Sequence, residues 1–148
     1  MATVSAVGGS RSRAPQVGRV AGAAVLAVVV ASVVNAALAL IGTAALSVPD
    51  DFKGFQPVAY VSLTFFGIAG AAVAWSLIAA RAAEPVELLR RLALIIVPVT
   101  MLADLALLLS GQSPAGVALL VVMHVVVGLT AYFSLTRLAP ARPVNARL

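Results

Sequence analysis

Charge is the property that this sequence has least of. Charged residues make up 10% of its 148 residues, whereas hydrophobic residues make up 62%. Soluble globular domains contain about 25% charged and 45 to 50% apolar residues. A chain with so few charges cannot cover a water-facing surface, and the composition therefore predicts a protein of the lipid bilayer.

Cysteine is absent altogether, and the sequence has a single histidine. The lack of cysteine excludes disulfides, thiolate metal sites and dithiol redox chemistry. The sequence has no Gly-rich phosphate loop, no Ser/His/Asp set, no HExxH pair and no nucleic-acid platform. We therefore expect no cofactor, no bound metal and no nucleic-acid partner, and the sequence favours a protein that is not an enzyme.

Long apolar runs are abundant instead. About 20 apolar residues suffice to cross a hydrocarbon core of roughly 30 Å, and four runs reach that length. The predicted spans are residues 20–46, 58–80, 88–109 and 115–136. Each run is about twice the 9 to 11 residues of a membrane strand, and none alternates between apolar and polar residues. The sequence thus predicts an all-α fold, a four-transmembrane-helix bundle with up-down-up-down connections in the lipid bilayer.

The runs divide the chain into three parts. Residues 1–19 are expected to form a flexible basic tail, residues 20–138 the transmembrane domain, and residues 139–148 a second tail. A cleavable signal peptide has an apolar region of about 7 to 15 residues. The first run is longer, so we expect it to stay in the protein as the first helix.

The basic residues predict the orientation of the bundle. Of the ten Arg and Lys residues, only Lys53 lies in a loop on the opposite side, beside Asp50 and Asp51. The other nine lie in the two tails and the middle connection, at Arg11, Arg13, Arg19, Arg81, Arg90, Arg91, Arg137, Arg142 and Arg147. Because Arg and Lys concentrate in cytoplasmic loops, both termini are predicted to be cytoplasmic.

Two ionisable residues lie at membrane depth. A carboxylate inside the hydrocarbon costs about 2.5 to 3.5 kcal/mol, so we expect Asp104 to face the bundle interior, water or a partner. At 1.5 Å per residue, Asp104 and His124 lie about 9 Å and 13 Å from the same side of the membrane. If their helix faces converge, the carboxylate and the imidazole can hydrogen-bond and share a proton.

Two interpretations of this pair stay open. In the structural one, Asp104 and His124 satisfy one another or a backbone carbonyl and fix the packing of the helices, at about 0.6 kcal/mol per hydrogen bond. In the functional one, they form a ligand or proton site near the outer side. One imidazole and one carboxylate are too few for a closed metal site.

Small residues recur at helical spacing in three of the runs. We expect these stripes to let helix backbones approach one another closely, the alternative being a pore or substrate lining that includes Asn35. The stripes are Ser32, Asn35, Ala39 and Gly42; Gly67, Gly70, Ala71 and Ala74; and Gly116, His124, Gly128 and Ala131.

Other residues suggest local features of the second and third helices. Pro98 frees a carbonyl one turn earlier and should kink the third helix, and Thr100 can hydrogen-bond within the distorted region. Tyr60 and Trp75 lie near opposite ends of the second run, where interfacial rings are enriched.

The middle connection carries Glu84 and Glu87 among its arginines. Glu87 and Arg91 form an i,i+4 pair in the favoured order, and Pro85 suits the first position of a helix. We interpret the two carboxylates as part of a solvated helix entry rather than as a catalytic pair.

A family resemblance rests on the Val-Met-His-Val-Val-Val stretch around Met123, His124 and Val125. Together with the basic N-terminal tail, the four spans and the small-residue second helix that ends in Arg81, it resembles a family of small bacterial four-helix membrane proteins of unknown function, found mainly in high-G+C species. The resemblance covers about residues 20–138. It implies the four-helix architecture and the bacterial cell membrane, and it implies no mechanism.

Three classes of function remain. A structural or accessory membrane subunit would use the small-residue stripes and Asn35 to dock helices in a homo-oligomer or a larger membrane complex. A small oligomeric transporter or proton-linked carrier would use an Asp104 and His124 site near the outer side, with Thr100 close by. A membrane enzyme or a lipid-binding protein is the third class.

Overall fold

The structure is a computed structural model that describes residues 15–141. Within this range the fold is all-helical, as predicted, and contains no strand. Each of its four helices is long and apolar enough to cross a membrane. The helices are α1 (Val17–Ala45), α2 (Pro57–Arg81), α3 (Pro85–Leu109) and α4 (Pro114–Leu138), with a short 3-10 turn at Lys53–Phe55 between α1 and α2.

Proline sets the start of three helices. Pro57, Pro85 and Pro114 occupy the first positions of α2, α3 and α4, where the missing N–H costs no helical hydrogen bond. At the start of α4 the Ser113 hydroxyl also accepts a hydrogen bond from the Gly116 amide at 3.4 Å, which caps the helix.

The first helix begins earlier than the predicted span. Residues 17–19, which were predicted to be part of the N-terminal tail, belong to α1. The remainder of that tail up to residue 14, and residues 142–148 of the second tail, lie outside the described residues. So do four of the arginines counted for orientation, Arg11, Arg13, Arg142 and Arg147.

The bundle is organised around α4, which packs against each of the other three helices. The face of α1 that is buried consists of small residues and one amide, spaced by three or four positions. Small side chains let helix backbones approach closely in a membrane, where van der Waals packing replaces the hydrophobic effect. The buried residues of α1 are Val20, Ala23, Ala27, Ala31, Asn35, Ala39 and Gly42.

Large apolar side chains fill the two ends of the bundle. At one end the start of α1, the end of α2, the start of α3 and the end of α4 meet around Trp75, Leu89 and Leu135. At the other end Phe52 and Phe55, from the loop after α1, pack against the first turns of α4 and against each other, with ring centroids 4.9 Å apart. The loop therefore closes this end of the bundle.

Trp75, near the end of α2, faces the interior of the bundle. Its side chain is fully buried, and its Nε1–H donates a hydrogen bond to the carbonyl of Ala139 at 2.8 Å. Nearness to a helix end gives the depth of a ring but not the direction in which it faces, and here Trp75 faces the interior. It ties the end of α2 to the residue that follows α4.

The α2 stripe also departs from expectation. Gly67 and Gly70 are exposed, and a Cβ atom added to Gly70 would meet nothing within 4 Å. Gly70 therefore faces away from the bundle, whereas a Cβ atom added to Gly67 would lie 3.6 Å from Val127 of α4.

Helix α3 lies at the periphery. Only Leu89 and Asp104 are buried among its 25 residues, and its outward face exposes large aliphatic side chains such as Leu94, Ile95 and Leu102. One of the two buried residues is thus a carboxylate, which makes the contact of Asp104 with the bundle unusual on this helix.

Candidate intramembrane polar site

Asp104 and His124 meet across the interface of α3 and α4. The Nδ1 atom of His124 lies 2.7 Å from Oδ2 of Asp104. Asp104 is 9% exposed, and the imidazole is partly exposed. The sequence predicted a similar membrane depth for the two residues. In the structure they are in direct contact, because they face each other on neighbouring helices.

The Nδ1 atom has a second neighbour. It lies 3.1 Å from the carbonyl oxygen of Leu120, one turn earlier on α4. A carbonyl oxygen only accepts, and a proton on Nδ1 points along the ring plane toward Leu120. Oδ2 of Asp104 lies beside that N–H bond, and within the described residues no donor is aligned with it.

This geometry determines what the pair can do. With the imidazole protonated and the carboxylate ionised, the short contact is an ion pair that holds α3 against α4. When the carboxyl group and the imidazole share one proton, Oδ2 of Asp104 and the carbonyl oxygen of Leu120 compete to accept its hydrogen bond. The pair of Asp104 and His124 can therefore both hold α3 against α4 and take up or release a proton.

Asn35 is fully buried and lies apart from this pair in the hydrogen-bond pattern. Its Nδ2 donates to Oγ1 of Thr64 at 3.2 Å and so connects α1 to α2. The Asn35 Oδ1 atom and the Ser32 hydroxyl, both on α1, have no hydrogen-bond partner within the described part of the chain. Sequence reasoning singled out Asn35 and missed Thr64, because a threonine in an apolar run is common and gives no signal by itself.

Thr100 has a local role. Its hydroxyl donates to the carbonyl of Val97 at 2.8 Å within α3, next to Pro98. The hydrogen bond in the proline region is thus as predicted, and Thr100 is exposed. Among the four predicted site residues, the structure brings Asp104 and His124 together and gives Asn35 and Thr100 separate partners.

The predicted pair of Glu87 and Arg91 forms at the start of α3. The carboxylate of Glu87 accepts from Nε of Arg91 at 2.9 Å, and it also binds Arg90 through two hydrogen bonds of 2.9 and 3.0 Å. All three side chains retain access to solvent. Such an exposed cluster contributes little stability and is typical of a solvated helix entry.

Two grooves lie on the surface of the described bundle. One, of about 340 Å³, runs between α3 and α4, and the other, of about 260 Å³, lies beside Asp50 and Tyr60. Neither is lined by Asp104 or His124. Residues 15–141 also hold no group of three or more His, Cys, Asp or Glu side chains that could bind a metal ion.

Comparison with known protein families adds one finding. Residues 15–141 match the model of a family described as a family of unknown function, DUF6069. The chain belongs to the DUF6069 family. No curated protein and no solved structure matches the chain. Membership in the family agrees with the resemblance drawn from the sequence, and the description of DUF6069 assigns no activity.

Proposed function

We propose that this member of DUF6069 is a structural or accessory subunit of a membrane assembly, a multi-pass protein of the cell membrane. The proposal rests on one observation: polar side chains inside the bundle contact polar side chains of a neighbouring helix. Asn35 binds Thr64 across α1 and α2, and Asp104 contacts His124 across α3 and α4. Polar groups used in this way hold a bundle together.

The position of α3 supports the same proposal. This helix buries only Leu89 and Asp104, and Asp104 contacts His124 on α4. Neither of the two surface grooves described above is lined by Asp104 or His124. The pair is accordingly best placed to fix α3 on α4.

Assembly with a second copy or another subunit would use the outward face of α2. Gly70 is exposed there with Ala74 one turn later, and the small-xxx-small spacing of the two residues suits the close approach of another membrane helix. Small residues of both α1 and α4, such as Ala31 and Gly116, pack inside the bundle. Gly70, where an added Cβ atom would meet nothing within 4 Å, remains available to a partner.

We expect Gly70→Leu to disrupt self-association or partner binding, because a leucine side chain would hold the second helix away. The matched control is Gly22→Leu, since Gly22 is also exposed on a helix with nothing within 4 Å of an added Cβ. Size-exclusion chromatography with light scattering, in mild detergent, measures the assembly. An oligomer that tolerates both substitutions equally, or a monomer in every case together with no co-purifying subunit, would contradict the proposal.

The proposed orientation is up-down-up-down, with both termini in the cytoplasm. Among the described residues, Arg19, Arg81, Arg90 and Arg137 lie near the ends of helices that meet around Trp75, and Lys53 lies in the loop at the opposite end. This distribution follows the positive-inside rule.

A small proton-linked carrier is the second candidate. It is favoured by one specific observation, the buried Oδ2 atom of Asp104 that lies 2.7 Å from Nδ1 of His124 without an aligned donor. An acceptor in this situation can bind a proton and release it again. Ionisable residues inside a membrane bundle are characteristic of such relays.

Asp104→Asn and His124→Ala distinguish the two candidates. A structural pair predicts that each change lowers the free energy of unfolding by about 0.6 to 1.7 kcal/mol and leaves proton permeability unchanged. A carrier predicts intact folding and loss of a proton flux driven by a pH gradient in proteoliposomes with an enclosed pH-sensitive dye. Thr100→Val is the control on α3, since its hydroxyl bonds only the carbonyl of Val97.

A further inference from the structure

A groove runs along the membrane-facing side of the interface between α3 and α4. Its volume is about 340 Å³, and aliphatic side chains such as Leu94, Val97 and Leu129 form its walls. We call it the α3–α4 groove. Gly128, which also lines it, lies so close to α3 that an added Cβ would be 2.8 Å from Cγ2 of Val97. The absence of a side chain at Gly128 thus lets α3 and α4 approach each other closely along the groove.

The length of the α3–α4 groove matches one leaflet of a bilayer. It extends along α3 from Arg90 to Met101, a rise of about 16 Å at 1.5 Å per residue. The hydrocarbon core of a bilayer is about 30 Å thick, so one leaflet takes up about half of it. A single acyl chain that enters at Arg90 would therefore end near Met101, at the middle of the membrane.

Positive charge is concentrated at one end of the groove. Arg90 and Tyr132 line that end, and the Arg137 guanidinium lies 4.7 Å from the centre of the Phe133 ring, which also lines the groove. A guanidinium has five N–H bonds, of which Glu87 accepts two from Arg90. The other three remain available for the oxygens of an anion.

We propose that the α3–α4 groove binds one acyl chain of an anionic phospholipid, whose phosphate lies against Arg90 and Arg137. An apolar channel of one-leaflet length with arginines at its membrane-surface end is complementary to such a lipid in both shape and charge. Planar guanidinium groups match the geometry of phosphate oxygens. The inference goes beyond the proposed role as a subunit and does not depend on which partner the protein has.

Native mass spectrometry of the full-length protein in mild detergent tests the proposal. The probes are dioleoyl phosphatidylglycerol and dioleoyl phosphatidylcholine, which share their acyl chains and differ in net charge. We expect one phosphatidylglycerol molecule per chain to be retained in preference to phosphatidylcholine. Inorganic phosphate at millimolar concentration should not displace it, because the acyl chain contributes to binding.

Two kinds of variant locate the site. Arg90→Gln should weaken the binding of phosphatidylglycerol about fivefold, and Arg81→Gln is its control because Arg81 lies at the end of α2 and does not line the groove. Ala93→Phe should abolish retention by filling the groove, whereas Ala103→Phe, on an exposed position of α3 outside the groove, should not. Leu129→Trp fills the groove from α4, and it replaces Ala93→Phe in this test if the Ala93→Phe variant does not fold.

Three results would overturn the proposal. The first is equal retention of the two lipids by the unaltered protein. The second is retention of phosphatidylglycerol that is unchanged in Arg90→Gln and in the groove-filling variants. The third is a dimer that Ala93→Phe or Leu129→Trp dissociates, without any retained lipid, since the groove would then be a contact between two copies of the chain.

Discussion

At the scale of single residues, polar side chains inside this bundle are few and act across helix interfaces. Asn35 and Thr64 join α1 to α2, Asp104 and His124 join α3 to α4, and Trp75 joins α2 to the segment after α4. In a membrane the competing solvent is hydrocarbon, so a polar group that finds a partner on another helix stabilises one particular arrangement of the helices.

The bond between Asn35 and Thr64 gives a prediction at this scale. Thr64→Val keeps the side-chain volume nearly unchanged but leaves the buried amide of Asn35 without its acceptor. We expect the free energy of unfolding to fall by about 1 kcal/mol, as measured by SDS titration in mixed micelles.

Thr130→Val is the matched control for this prediction. The hydroxyl of Thr130 donates to the carbonyl of Val126 within its own helix, so the valine removes no contact between helices. A loss of stability as large in Thr130→Val as in Thr64→Val would show that the bond between α1 and α2 has no special importance.

The candidate site was predictable in part. Because charged residues are scarce in the apolar runs, Asp104 and His124 stand out as candidates. The helical rise per residue predicts a similar membrane depth for both, and in the structure they are in contact. Thr64 was not predictable as the partner of Asn35, because the helices are apolar on every side and the sequence does not say which face turns inward. The burial of Trp75 was missed for the same reason.

At the scale of secondary structure, the number and type of elements follow from the sequence, since apolar runs of about 20 residues without strand-like alternation indicate membrane helices. The starts of α2, α3 and α4 follow from their prolines. The packing of the loop after α1 does not follow, because the burial of Phe52 and Phe55 depends on the distant first turns of α4. That Gly70 faces outward also could not be predicted, because it depends on the rotation of α2 about its axis.

The interface of α3 and α4 gives a prediction for these elements. Gly128→Ala would place a Cβ atom 2.8 Å from Cγ2 of Val97, and overpacking of this kind costs about 1 to 3 kcal/mol. We expect a lower thermal unfolding temperature in detergent for this variant. Gly70→Ala is the control, because an added Cβ at Gly70 meets nothing within 4 Å.

A second substitution tests the cause of that loss. Val97→Ala removes the methyl groups that the new Cβ atom would meet, so the double variant should recover part of the stability lost in Gly128→Ala. Additive losses in the double variant would mean that the close approach of α3 and α4 at Gly128 does not limit packing.

At the scale of the whole molecule, the central claim is a four-span bundle whose arginine-rich end faces the cytoplasm. The absence of cysteine from the sequence makes this claim directly measurable, because a single introduced cysteine is the only thiol in the protein. Ala83, between α2 and α3, and Ser110, after α3, are both exposed and lie in connections on opposite sides of the proposed membrane.

The decisive measurement is the labelling of Ala83→Cys and Ser110→Cys in intact cells with a membrane-impermeant maleimide. We expect the thiol at position 110 to react in intact cells, and the thiol at position 83 to react only after the membrane is permeabilised. Labelling of both thiols in intact cells, or the reverse pattern, would contradict the proposed topology.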